Sequence, residues 1–131
     1  MSPSRRKWLA VAGWLLVIET LTSWPSPPSF GAPHGSDKVV HFMMYAALGL
    51  LAIRAAWTPG VRRPWRRLLV VAGCVSLWGA FDEWHQQFIP SRSMELGDWI
   101  ADSIGGIAGV TIFTLSAGRA GASGHRRESR T

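Results

Sequence analysis

Between residues 81 and 102 the chain reads FDEWHQQFIPSRSMELGDWIAD: five carboxylates, an arginine, a histidine and two glutamines between two apolar runs. Groups of these types do acid–base work, hold divalent cations or clamp phosphates. A second set lies upstream, where Asp37, His41 and Tyr45 recur every four residues and so share one helix face. Lys38, three residues before His41, can join that face. Glu83 shares a face with Gln86 or Gln87, and Asp98 shares one with Asp102. The candidates for catalysis are Asp37, His41, Glu83 and Asp98, and those for holding a substrate are Lys38, Tyr45, Gln86 and Arg92. Asp37, His41, Asp98 and Asp102 are candidate ligands of a divalent cation, with Glu83 nearby. The competing expectation is structural: His41 bonds Asp37 or Glu83 and only fixes helix register. His85 is two residues from Glu83 and points away from it on a helix, while His34, in PSPPSFGAPHG, is read as solvated.

The elements that must position these groups are apolar. The 131 residues suit one domain, and only 17% are charged, against about a quarter in soluble domains. Those charges are gathered in short clusters, which points to a membrane rather than to a soluble core. Apolar runs cover residues 8–24, 39–57, 68–81 and 103–117, and no strand alternation or internal repeat competes with them. A spanning helix needs about 20 residues, so the last two runs reach across only by taking in their polar ends. The expected fold is therefore all-α: a polytopic membrane domain over 1–117, a bundle of four transmembrane helices at about 8–24, 37–57, 66–87 and 98–117. Residues 118–131 are expected to be a disordered, basic cytoplasmic tail. The single cysteine, Cys74, excludes an internal disulfide and a cysteine-based zinc site, and is read as a small buried packing residue.

Charge sets the orientation. Of the 14 basic residues, all but Lys38 and Arg92 fall before the first run, around the junction of the second and third, or after the fourth. By the positive-inside rule both termini and the central loop are cytoplasmic, in a multi-pass protein of the cytoplasmic (inner) cell membrane. Among the eight acids only Glu128 lies on the inner side. Trp8, Trp24, Trp57, Trp65, Trp84 and Trp99 fall at run ends, as interfacial belts require. The first run has a basic start, but Glu19 interrupts it and no cleavage motif follows, so it is read as a helix rather than a signal peptide. The net charge of +6 then means contact with anionic lipid and not with nucleic acid. The polar candidates gather at the outer helix ends, which predicts a shallow polar cavity open to the outer face. Glu19 and Asp102 lie deep enough to need partners, which Lys38, Arg92 or His41 can supply. Ala101, Gly105 and Gly109 have the spacing that lets helix backbones approach closely, just below the acids.

DKVVHFMMYAALGLL followed by DEWHQQFIPSRSMELGDWIADSIGGIAG resembles the VanZ-like family of small membrane proteins. That pattern is Asp-Lys-x-x-His-Phe, then Glu-x-x-Gln-x-Phe-x-Pro-x-Arg, then Asp and a Gly-x-x-x-Gly helix. It falls on Asp37, Lys38, His41, Phe42, Glu83, Gln86, Phe88, Pro90, Arg92, Asp98, Gly105 and Gly109, within about residues 8–117. Asp102 departs from it, since the family commonly has Asn there. The resemblance implies a membrane protein whose named member is associated with teicoplanin resistance, and such antibiotics act on outer-face cell-wall precursors. It implies no reaction. The spacing Ser91-Arg92, Asp98, Asp102 is also similar to the Ser-Arg-x5-His-x3-Asp motif of membrane type-2 phosphatidic acid phosphatases, with Asp98 where their nucleophilic His stands. In those terms Asp98 is the nucleophile, His41 or His85 substitutes, or the likeness is coincidental.

Four classes of function stay open. The first is a hydrolase or transferase acting on a phosphate-containing lipid or envelope precursor. A second is a non-catalytic binding or assembly protein that holds an anionic or isoprenoid-linked lipid through Lys38 and Arg92. An ion-coupled carrier using Glu19, Asp102 and His41 is disfavoured by four short helices without discontinuous repeats. Last comes a purely structural polar cluster. A divalent cation is compatible with the first two, and the oligomeric state is not legible.

Overall fold

The structure, a computed structural model, describes residues 1–25, 35–58 and 64–128, without the side chains of residues 64 and 118–128. His34, Arg62 and Arg63 lie outside the described residues. Among those described the chain is all-helical: α1 Pro3–Thr22, α2 Ser36–Ala56, α3 Pro64–Gln86 and α4 Leu96–Glu128. The helix starts follow from local chemistry. Ser2 Oγ accepts the Arg5 N–H at 3.3 Å and Pro3 takes a first-turn position, where its missing donor is no loss. This cap starts α1 ahead of the expected residue 8. Gly35, at φ 89°, supplies the left-handed backbone that opens α2. α4 continues past residue 117, where the sequence places the start of a tail, to Glu128. That stretch holds no proline, and its alanines and arginines favour the helix while its three glycines oppose it.

α2 and residues Leu96–Ala117 of α4 are long and apolar enough to cross a membrane. α1 and α3, with 20 and 23 residues, are about 30–35 Å long at 1.5 Å per residue. They carry charge at their ends, as Arg5, Arg6, Lys7 and Glu19 in α1 and Arg66, Arg67, Asp82 and Glu83 in α3. The surface is inverted relative to that of a soluble monomer. Leu16, Val40, Leu69, Leu77, Ile104 and Ile112 are exposed, while Thr22, His41, Asp82, Glu83, Gln86, Asp98 and Asp102 are buried. A water-facing monomer rarely shows such continuous apolar area, whereas a membrane protein turns its ionisable groups inward.

α2 is the central helix, packing on α1, α3 and α4, and its most extensive seam is with α4. Glycines make that seam. A Cβ on Gly105 would run into the Phe42 carbonyl, one on Gly109 into the Ala46 carbonyl, and one on Gly49 into the Gly106 carbonyl. The small-residue spacing seen in the sequence thus brings two backbones into direct contact, and the partner is α2. α1 and α3 touch only lightly. The gap between them is an apolar crevice of about 370 Å³ lined by Trp8, Val11, Val71, Cys74, Arg67 and others. Cys74 is consequently exposed and not, as the sequence suggests, buried.

Candidate functional site

Three helices each bring one side chain to a buried point. His41 comes from the second turn of α2, Glu83 from the last turn of α3 and Asp102 from the second turn of α4. His41 Nδ1 lies 3.0 Å from Asp102 Oδ1 and 4.0 Å from Glu83 Oε1. The glycine seam sets this spacing, because Phe42, next to His41, rests on Gly105, one turn beyond Asp102. Gly79 of α3 makes room on the other side: a Cβ there would stand 3.0 Å from Asp102 Cβ and 3.1 Å from its Oδ2. Glu83 is held at both oxygens, Oε1 accepting from Gln86 Nε2 at 3.1 Å and Oε2 from the Glu95 N–H at 2.8 Å. Asp102, 0% exposed, leaves Oδ2 without a hydrogen-bond partner.

A second group forms the exposed rim. Lys38 Nζ lies 3.0 Å from Asp98 Oδ1, 3.2 Å from Glu95 Oε2 and 3.3 Å from Asp37 Oδ2. One ammonium therefore sits among three carboxylates, and Lys38 does not join His41 as its spacing allows. The four residues that the sequence offers as metal ligands are divided by this arrangement. Asp37 and Asp98 surround Lys38, whereas His41 and Asp102 meet Glu83.

A third group ties α1 to the rest. Asp82, fully buried, accepts from Thr22 Oγ1 at 2.7 Å and from the Tyr45 hydroxyl at 3.2 Å. Arg92 donates through Nε and Nη2 to the Thr22 carbonyl, at 3.2 and 3.0 Å, and so caps the C-terminal end of α1. It is aimed there by a tight turn in which Arg92 N–H reaches the Ile89 carbonyl, with Pro90 second and Ser91 third at φ 65°. Glu19, the other deep acid, meets His85 Nδ1 at 3.8 Å, not Lys38, Arg92 or His41.

Of the sequence candidates, His41, Glu83, Gln86, Asp98, Asp102 and Lys38 are thus brought to one end of α2, α3 and α4. Asp37 stays on the exposed rim, and Tyr45 and Arg92 belong to the adjoining α1 network. Asp82 and Glu95 do not stand out from the sequence. The usable signal for Asp82 is its position beside Glu83: consecutive helical residues point to different faces, so one acid looks toward α4 and the other toward α1.

These features define a small all-helical membrane protein with its ionisable side chains packed inward at one end of the bundle. The VanZ/LLP1 family model matches residues 4–117, and the chain belongs to that family. The matched span includes every residue of the three polar groups. No curated protein and no solved structure matches the chain at a significant level.

Proposed function

We propose that all four helices cross the inner cell membrane with both termini cytoplasmic. The polar end then lies at the outer leaflet, where it binds the phosphate-bearing headgroup of an anionic or isoprenoid-linked envelope lipid. Charge placement supports the topology. Arg5, Arg6 and Lys7 open α1, and Arg54, Arg66 and Arg67 flank the α2–α3 connection, at the end of the bundle opposite His41, Glu83 and Asp102.

The observation that carries the ligand assignment is the position of Lys38. Its side chain is 41% exposed, bridges to Asp98 and stands one turn from the buried His41–Asp102 pair. A headgroup phosphate arriving at this rim competes with three carboxylates for the ammonium, so its net gain falls below the about 1.5–3 kcal/mol of an uncontested charge-assisted hydrogen bond. Reconstituted in nanodiscs, the protein is expected to bind an isoprenyl phosphate in preference to the matching isoprenol. Lys38→Ala is expected to weaken that binding several-fold, up to about tenfold. Equal affinity for phosphate and alcohol, or an unchanged Lys38→Ala, removes the assignment.

Hydrolysis or transfer is a second reading, favoured by the 3.0 Å contact between His41 Nδ1 and Asp102. In the tautomer with the proton on Nδ1, the aspartate orients the ring and leaves Nε2 for attack or proton removal. Phosphate release by the wild type that His41→Gln abolishes supports catalysis. Binding without release leaves a non-catalytic receptor for the lipid, and loss of thermal stability alone in both variants leaves a structural cluster.

A further inference from the structure

We infer that His41, Glu83 and Asp102 form a binding site for a divalent transition-metal cation of the zinc type, at the buried junction of α2, α3 and α4. As a site it is independent of the headgroup assignment; as the means by which this end attracts a phosphate, it rests on that assignment.

The donor geometry comes first. One imidazole nitrogen and two carboxylate oxygens, from three different helices, lie within 4.8 Å of one another. The contacts of 3.0 and 4.0 Å from His41 Nδ1 bracket the separation of roughly 3.3 Å between ligands of a tetrahedral ion with bonds of about 2.0–2.1 Å. A small approach of Glu83 and a small retreat of Asp102 complete three of the four ligand positions of such a site. The ion would replace the proton shared by His41 and Asp102.

Charge comes second. Buried carboxylates need compensation, and the rim group carries its own, because Lys38 Nζ already fills the space among Asp37, Glu95 and Asp98. Among the described residues no lysine or arginine bonds to Glu83 or Asp102, and His41 is the one imidazole facing both. Asp102 keeps Oδ2 unpartnered although it is completely buried, an arrangement that costs free energy unless something cationic meets the carboxylate. The inner group, cut off from water, is therefore short of a cation in a way the largely water-exposed rim group is not.

Ligand type and support come third. An imidazole with two carboxylates suits zinc or manganese better than magnesium or calcium, which prefer all-oxygen sites. Glu83 is pre-positioned by Gln86 and by the Glu95 backbone, the sort of outer support that metal ligands need. Three protein ligands leave a coordination position for a water or a phosphate oxygen. That would explain how an end so rich in carboxylates can attract an anion at all.

The test uses the full chain in detergent, purified through a tag without histidines and stripped with a chelator. Zinc chloride is titrated and the metal retained after gel filtration is counted. One equivalent per chain is expected, with affinity reduced about tenfold or more in Asp102→Asn and in Glu83→Gln and unchanged in His85→Gln. Should Asp102→Asn fail to fold, Glu83→Gln, which keeps an acceptor for one of the two hydrogen bonds that hold Glu83, decides the matter alone. Wild-type protein that retains much less than one equivalent overturns the site. So does one equivalent that survives both substitutions, because that zinc is bound elsewhere. Isoprenyl phosphate is then offered to stripped and zinc-loaded protein. Zinc binding without any phosphate-lipid binding keeps the site and defeats the headgroup assignment. Equal lipid binding in both forms overturns the ion's part in attracting the phosphate.

Discussion

Replacing Gly105 with alanine separates the effect of the α2–α4 seam from ordinary helix propensity. The added methyl would meet the Phe42 backbone, with its carbonyl carbon and Cα both at 3.0 Å and its carbonyl oxygen closer still. Backbone atoms cannot rotate away. Carbon contacts relax only at about 3.5–4.0 Å, so the two helices must part by on the order of 1 Å. Such overpacking costs about 1–3 kcal/mol, against which alanine returns up to about 1 kcal/mol of helix propensity. A methyl added at Gly73 of α3 would meet nothing within 4 Å, so Gly73→Ala carries the propensity gain alone. Melting followed by tryptophan fluorescence in detergent should therefore place Gly105→Ala below wild type and Gly73→Ala at or above it. The same displacement carries the 3.0 Å His41–Asp102 contact beyond hydrogen-bond range and past the roughly 3.3 Å ligand spacing of zinc, so Gly105→Ala should also weaken zinc uptake. A Gly105→Ala protein that melts with or above Gly73→Ala refutes the view that these glycines set the spacing of the site.

Further substitutions address the surrounding network. Tyr45→Phe deletes the hydroxyl that donates to buried Asp82 and should cost about 1–3 kcal/mol in a detergent melt, while Val39→Ala on the exposed face of α2 should change little. Ser91→Gly relieves a left-handed backbone in the turn that aims Arg92 and should leave stability equal or raised by up to about 1 kcal/mol, whereas Ser91→Val should lower it. Arg92→Ala removes both bonds to the Thr22 carbonyl. It should speed hydrogen exchange in the last turn of α1, measured by mass spectrometry, while leaving the middle of α2 protected.

Much of the fold is legible in the sequence because helix periodicity is local. Asp37, His41 and Tyr45 have to share a face, Glu83 has to reach Gln86 or Gln87 and in the structure meets Gln86, and Gly105 with Gly109 has to admit a neighbouring backbone. The seam into which each face looks is not local. Lys38 turns to Asp98 and Glu95 rather than to His41 because the start of α4 and the residue just before it bring those acids within 3.0 and 3.2 Å of its Nζ. Arg92 caps α1 rather than facing the acids, since the Pro90–Ser91 turn directs it to Thr22. Asp82 is hard to single out because one residue of helix carries it to a different neighbour from Glu83. Cys74 misleads for a related reason: an apolar stretch says that a residue avoids water, and on a helix proposed to cross the membrane lipid satisfies that as well as a core does.

The most direct measurement is native mass spectrometry of the full chain as isolated from membranes without added lipid, wild type beside Lys38→Ala and His41→Ala. A polar end that receives a headgroup predicts a phosphate-bearing lipid on the wild type and its loss from both variants. A wild type that carries no such lipid, or variants that retain the same one, would contradict the account.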